Sequence, residues 1–345
     1  MYNSINFGIK IGKRRCAGNE NCRCIFTIWR KSKRIFYFWK NMQIFLDIVA
    51  KNYYYIKQGS KLLLNKMREN RMEKVNVDGL TEKEFLARYQ PGNYKRPSVT
   101  VDMMVLRMMQ KLEGMEILLI QRKNHPYINS WALPGGFVDI DESAYHAAAR
   151  ELHEETGLQD VYLEQLYTMS QPDRDPRMRV IDIAYIALLP YDKAGEAKAG
   201  DDAKEALWFQ ITYENHKIKL QNKERNISIE YALIEKEFPN GVLKIKNYIP
   251  EQISEEALAF DHAQIILEGL MRLRNKVSYT DVAFNLVPRE FTLPDLQKVY
   301  EVILGEELYK TNFRSKVKNK VVSLGKSGKP LSGNRKAALY QYCEE

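Results

Sequence analysis

The sequence predicts an α/β fold: a mixed sheet with helices on its faces, followed by a C-terminal winged helix-turn-helix. Three observations predict it. Between residues 99 and 211, apolar stretches of strand length surround one glutamate-rich stretch of helical period. Residues 256–345 then read as a helix, a helix-turn-helix and two short strands. Charge also shifts sharply along the chain, dividing it into 1–71, 72–255 and 256–345.

The chain has 345 residues, enough for two domains and an extra segment. Its net charge of +9 is uneven: residues 1–72 carry 16 Lys and Arg against 3 acidic residues (+13), leaving 37 basic and 41 acidic residues (−4) in the rest. The basic balance therefore reports the amino-terminal segment and not a nucleic-acid-binding protein as a whole. Residues 1–71 mix aromatics and lysines without a period of 2 or 3.6, and they read as an extension outside the functional protein, which a start at Met67 or Met72 would remove. Two other readings are a basic arm for nucleic acid or membrane and a metal knuckle at Cys16, Cys22 and Cys24. The C-x5-C-x-C spacing of that knuckle lacks a second pair. Four cysteines are too few for a disulfide scaffold, which fits a cytoplasmic compartment. No apolar run reaches the ~18 residues of a membrane span, so no membrane partner is expected.

From Met72 the elements follow in order. Thr81 with Glu84 three residues later signals a capped short helix over 81–89. Residues 99–109 and 115–122 read as a hairpin with its turn at 112–114. Residues 131–138 (WALPGGFV) bend at Pro134-Gly135-Gly136 and deliver the chain to a helix over 142–156. Ala144, Ala148 and Leu152 give that helix an apolar face for packing on a sheet. Strands follow over 161–169, 179–189 and 206–211. Residues 212–250 read as further strands with turns at 221–226 and at Pro239-Asn240-Gly241, leading to a linker at Pro250.

The helix carries the chemistry. Glu151, Glu154 and Glu155 fall three and four residues apart, so the helical period projects them together. Like charges so placed repel, and a plain solvated helix gains nothing by collecting them. A hard cation such as Mg²⁺ or Mn²⁺ reverses that cost. Arg150 can hold one carboxylate through a forked hydrogen bond. Gly157 suits the left-handed turn that ends a helix. At Gly135 and Gly136 the backbone can approach a metal-bound phosphate.

Gly136, Glu142, Arg150, Glu151, Leu152, Glu154, Glu155, Gly157 and Leu158 fit the pattern G-x5-E-x7-R-E-L-x-E-E-x-G-L. This resembles the Nudix hydrolase family at every defined position of its box. The resemblance implies the α/β/α Nudix sandwich and a metal set of Gly135, Glu151, Glu154 and Glu155. Catalysis would rest on Glu151, Glu154, Glu155 and Arg150. The base is left open between a box glutamate and an acid of the loop carrying Asp201, Asp202 and Glu205.

Residues 170–180 (SQPDRDPRMRV) gather Arg174, Arg177 and Arg179 with two aspartates and two prolines. Such a loop is ordinarily a solvated connector, but arginine matches phosphate oxygens in bidentate fashion. A D-R-D-P-R run after the box resembles what ADP-ribose-directed Nudix enzymes and their regulator relatives carry there. Gln121, Arg122 and Tyr127, before the box, resemble the family's substrate-lining segment. The candidate substrate residues are Arg122, Arg174, Arg177 and Arg179.

In the last third, Leu258, Ile265, Ile266, Leu267, Leu270 and Leu273 mark a helix over 258–274. Thr292, Pro294 and Asp295 open a second helix that stops at Gly305. Thr311 is a candidate cap for a third over 312–320, and residues 321–324 and 337–342 read as wing strands. Residues 308–336 hold nine basic residues and no acidic one. Arg314, Lys316, Lys318 and Lys326 are the candidate DNA contacts, as phosphate neutralisation requires. A Nudix domain joined to this winged helix resembles the Nudix-related transcriptional regulators.

Two functions are therefore expected. The first is Mg²⁺-dependent hydrolysis of a nucleoside diphosphate linked to another moiety, ADP-ribose foremost, to AMP and ribose 5-phosphate. The alternative is a homodimeric DNA-binding regulator whose Nudix domain senses such a ligand.

Overall fold

The computed structural model describes residues 74–157, 161–192, 203–333 and 335–343. The expectations for residues 1–71, for Cys16, Cys22 and Cys24, for Leu158, and for Asp201 and Asp202 lie outside them. The chain separates into two units, residues 1–92 and 93–345. In the first, helix α1 (Glu82–Arg88) has the reciprocal cap expected, with Thr81 accepting from the Glu84 amide and Glu84 from the Thr81 amide.

The second unit is built on one large mixed sheet. Its strands are β1 (Ser98–Met108), β2 (Met115–Arg122), β3 (Trp131–Ala132), β4 (Gly135–Phe137), β5 (Tyr162–Met169), β6 (Val180–Leu189), β7 (Ala203–Glu214), β8 (Lys217–Asn222), β9 (Ile227–Asn240) and β10 (Leu243–Gln252). They lie in the order β10-β9-β8-β7-β2-β1-β6-β5, with β3 on β2 and β4 on β1. β1 pairs in parallel with β6 and antiparallel with β2 and β4.

Side chains alternate across β1, as a pleated strand requires. Val101, Met103 and Val105 face one core with Ala147, Ala148 and Leu152. Met104, Leu106 and Met108 face the other, with Ile265, Ile266 and Leu270. The first core lies under helix α2 (Ala144–Thr156), the second under α3 (His262–Lys276). The helix completing the sandwich thus comes from the segment read as the start of the second domain. Gly269 lets it sit close, since a Cβ there would overlap the Met104 sulfur.

Several boundaries differ from the sequence reading. α2 begins at Ala144 with Ser143 as its cap, because Glu142 is drawn out of the helix by Arg150. Pro250 is inside β10, not in a linker; β10 is the sheet edge, where a missing N–H costs no ladder bond. α3 begins at His262, not at 258, because Leu258 bridges to Trp131 and donates its amide to Tyr231. A turn at Asn215 and His216, both at positive φ, was not expected.

The winged helix comprises a 3-10 turn (Val282–Leu286), β11 (Phe291–Thr292), α4 (Leu293–Leu304), α5 (Lys310–Val317), β12 (Val321–Gly328) and β13 (Ala337–Tyr342). Thr292 caps α4 and Gly305 ends it in the left-handed region, as read. α5 differs: it starts at Lys310 behind Tyr309, with Thr311 in its first turn, and Lys318 stands at its end. Lys320 therefore lies beyond the helix, paired with Asp281.

Candidate functional site: a box helix and an arginine-walled cavity

Packing of β4 against α2 creates the first part of the site. Gly135 pairs with Asp102 of β1, and a Cβ on it would strike the Val101 carbonyl. A Cβ on Gly136 would strike the Glu151 carboxylate, so this residue leaves the space that Glu151 occupies. The two glycines thus do different jobs, one for the sheet and one for the carboxylate.

Arg150 organises the box. It donates to Glu151 at 2.8 Å, to Glu142 at 2.8 Å and to the Phe137 carbonyl at 3.3 Å, with Glu154 at 3.6 Å. Glu142 also accepts from the Asp139 amide. Arg150, expected in the catalytic set, turns its nitrogens to these carboxylates and to the Phe137 carbonyl. Its hydrogen bonds and the Asp139 amide hold Glu142 below the usual carboxylate range. Burial pushes Glu151 up, although Arg150 opposes it.

The three helix glutamates do not project as one group. Glu151 is largely covered, Glu154 is half exposed, and Glu155 is buried with Leu152 and Thr156. Among the described residues no three acidic, His or Cys side chains stand close enough to hold a metal ion. In this arrangement Arg150 supplies the positive charge between Glu142, Glu151 and Glu154. The donors still fit a hard divalent cation in kind, being carboxylate oxygens around a strand whose missing Cβ at Gly136 leaves room for Glu151. Glu205, expected on a loop with Asp201 and Asp202, lies in β7 paired with Arg225.

Beside the box opens a cavity of about 250 Å³. Gly135, Gly136 and Phe137 form one end; Arg122, Arg174, Arg177, Phe260 and His262 line it further along. Arg122 donates to the Pro126 carbonyl and lies over the Phe260 ring at 4.9 Å, with Tyr127 edge-on to that ring. Arg177 forks onto Asp175 and lies 5.8 Å from the Phe137 ring.

Arg174 and Arg179 both hold protein partners in this structure. Arg179 donates to the Ser170, Gln171 and Val180 carbonyls and so shapes its own loop. Arg174 is buried and forks onto Asp261 at 2.7 and 3.0 Å, with Asp102 at 3.4 Å. A guanidinium this deep would be costly without such partners.

Sequence reasoning missed the rest of this network. Leu133 donates its amide to His262 Nδ1 at 2.8 Å, so His262 turns Nε2 toward Asp102, 3.4 Å away. Burial would raise Asp102, but His262 and Arg174 outweigh it and hold the carboxyl below its usual range. Asp182, fully buried, accepts from Thr100 and is pushed well up by burial and by the Asp102 charge. Its Oδ2 has no other partner, which suits a protonated acid facing Asp102. A lone acid inside each apolar strand, in TVDMMV and VIDIAY, was the available signal.

In the winged helix, Arg314 and Lys318 are exposed on and at the end of α5. Lys316 is exposed as well, but its ammonium donates to the Val277 carbonyl at 3.3 Å and lies 4.9 Å from the Tyr300 ring. Lys326 is exposed on β12, with Glu290 at 3.9 Å.

Comparison with known proteins agrees with both halves. The NUDIX domain model matches residues 96–229, and the NrtR DNA-binding winged helix domain model matches residues 283–342. The chain is 33% identical over 270 residues to the ADPR responsive transcriptional repressor NtrR of Acinetobacter baylyi, covering 78% of this chain and 91% of that protein. It is 45% identical over 118 residues to an ADP-ribose pyrophosphatase of Methanocaldococcus jannaschii, covering 34% of this chain and 64% of that protein. A MutT/nudix family protein from Enterococcus faecalis shares the fold with a TM-score of 0.63 at 30% identity, over 76% of this chain and 94% of that one. Shewanella oneidensis NrtR complexed with a 27mer DNA gives 0.51 at 28% identity, over 71% and 93%.

Proposed function

Since the chain belongs to the family of Nudix proteins that carry an NrtR-type winged helix, we propose that it is a DNA-binding regulator responding to ADP-ribose or a closely related nucleoside diphosphate. One observation carries this reading. Phe260 and His262, at the joint that leads directly into α3 and the winged helix, form part of the wall of the arginine-lined cavity. A ligand in the cavity therefore touches the segment on which the DNA module hangs. Arg122 and Arg177 supply charge for a pyrophosphate, and the Phe260 and Tyr127 rings supply a surface for a planar base. Exposed Arg314, Lys318 and Lys326 supply phosphate contacts for DNA. As a homodimer in the cytoplasm the protein would meet a two-fold symmetric site.

Fluorescence anisotropy with a duplex from upstream of its own coding sequence tests this. Binding should weaken with salt and be relieved by ADP-ribose; affinity unchanged by saturating ADP-ribose would overturn the responsive reading.

A second reading, hydrolysis of the same ligand, is favoured by the retained carboxylates and by the cavity ending at Gly136 against Glu151. Glu151 and Glu154, with Glu155 behind them, would hold Mg²⁺ or Mn²⁺, which when bound activates water and offsets phosphate charge. Arg150 would orient Glu151, and Arg122 and Arg177 would position the pyrophosphate. Hydrolysis and sensing are compatible, since turnover would remove the inducer. No helix among the described residues is long and apolar enough to cross a membrane.

A further inference from the structure

We propose that Asp261 is a two-position switch: it pairs with Arg174 while the cavity lacks an anionic ligand, and it caps helix α3 when such a ligand takes Arg174. The proposal rests on the reading that the cavity receives an anion.

Asp261 stands at the N-cap of α3, where aspartate is among the favoured residues, because its carboxylate can accept from the helix's first amides. It makes no such bond. Thr81, Ser143 and Thr292, which do cap their helices, all hold extended backbone with ψ of 160°, 157° and 150°. Asp261 has ψ 22°. Both carboxylate oxygens go instead to Arg174, a residue 87 positions earlier on the cavity wall. The preceding residue, Phe260, sits at φ +50°, where a side chain is unfavourable. The joint therefore departs from its local preference while Asp261 is paired with Arg174.

A pyrophosphate offers Arg174 more charge than one carboxylate does and matches its fork equally well. Asp102 stays behind, 3.4 Å from the buried guanidinium, so Arg174 keeps a counter-charge when Asp261 leaves. Freed, Asp261 can turn to the extended backbone of the other caps. That rotation lies between Phe260, which touches the ligand space, and α3. The far end of α3 is tied to the DNA module: Arg274 donates to the Ile303 carbonyl of α4, and Val277 accepts from Lys316 of α5. A turn at Asp261 thus changes how α5 is presented. The two states differ in which partner the carboxylate takes, which gives each ligand a differential contact.

The His262, Gln264 and Ile265 amides already donate to the Ala259 and Asp261 carbonyls, so hydrogen exchange of the full chain, read at the Ala263 amide without added metal, tests the switch. Asp261→Asn loses the charge that holds Arg174 but keeps a capping oxygen. With no ligand it should protect this amide about fivefold over wild type, the size of one capping interaction. Asp261→Ala, which loses both functions, should give no such protection. ADP-ribose should bring wild type to the level of the Asn variant. An Asn variant that exchanges like wild type overturns the switch, whatever ADP-ribose does. If the Asn variant is protected while ADP-ribose leaves wild type unchanged and inorganic pyrophosphate protects it, the switch stands and the ADP-ribose reading falls. Asp261→Ser, a smaller uncharged cap, provides the same comparison should the Asn variant fail to fold.

Discussion

Gly136 and Glu151 share one volume: the carboxylate of Glu151 lies where a Cβ on Gly136 would be. Its neighbour Gly135 instead meets the backbone of β1 at Val101 and Asp102. A flexible carboxylate can move aside, whereas a strand backbone cannot. Gly136→Ala should therefore fold with a loss of stability below about 1 kcal/mol while displacing Glu151 and weakening Mn²⁺ binding. Gly135→Ala should cost about 1–3 kcal/mol, as overpacking does. Urea denaturation and Mn²⁺ titration of both variants check this; equal stability losses would remove the distinction.

The hydrolytic reading rests on the box carboxylates. Glu151→Gln and Glu154→Gln should each lower Mg²⁺-dependent AMP release from ADP-ribose by about a hundredfold or more, with ADP-ribose binding retained. Chromatography of the products decides it. AMP release at the wild-type rate in both variants would place the metal elsewhere.

Stability should fall on the alkaline side because of Asp182. Its carboxyl is raised by burial and by the Asp102 charge, so the fold holds a proton that the unfolded chain would release. That contribution is complete below the ordinary value of 3.8 and is lost as pH rises through the raised one. Asp102, held low, gives the opposite slope: its contribution is present above 3.8 and lost as pH falls through its own value. Asp182→Asn, an uncharged isostere of the acid, should flatten the alkaline loss in a Tm-against-pH series. An unchanged slope in that variant would mean that Asp182 is ionised in the fold.

DNA affinity should respond to Arg314 and Lys318 through salt. Removing one phosphate contact should lower the slope of log K against log salt by about one. Arg314→Ala and Lys318→Ala are the informative variants. Lys316→Ala differs, because it strips the Val277 carbonyl of a donor and should lower Tm. Anisotropy titrations at several salt concentrations separate the two classes; identical salt slopes for wild type and both surface variants would move the interface elsewhere.

Local signals carried the element types. The apolar run of β1 marked a strand, and Thr292, Pro294 and Gly305 fixed the ends of α4, because capping and turn chemistry act within four residues. Where long-range partners compete, the reading slipped. Pro250 looked like a linker because nothing nearby says that it lies on a sheet edge. The partners of the Lys316 ammonium were not legible because Tyr300 and Val277 are distant in sequence.

By itself the sequence determined the spacing of Gly136, Glu142, Arg150, Glu151, Glu154 and Glu155, and hence the Nudix box and its family, since a helix turns that spacing into a fixed set of neighbours. The division of labour around the box belongs to the tertiary structure. Strand pairing set Asp102 beside Asp182, and sheet–helix packing brought Asp261 to Arg174 and His262 to Asp102, giving an arginine read as a phosphate ligand a buried carboxylate partner. Burial raises the cost of an unpaired charge, so which partner an arginine takes is decided by what the fold places against it.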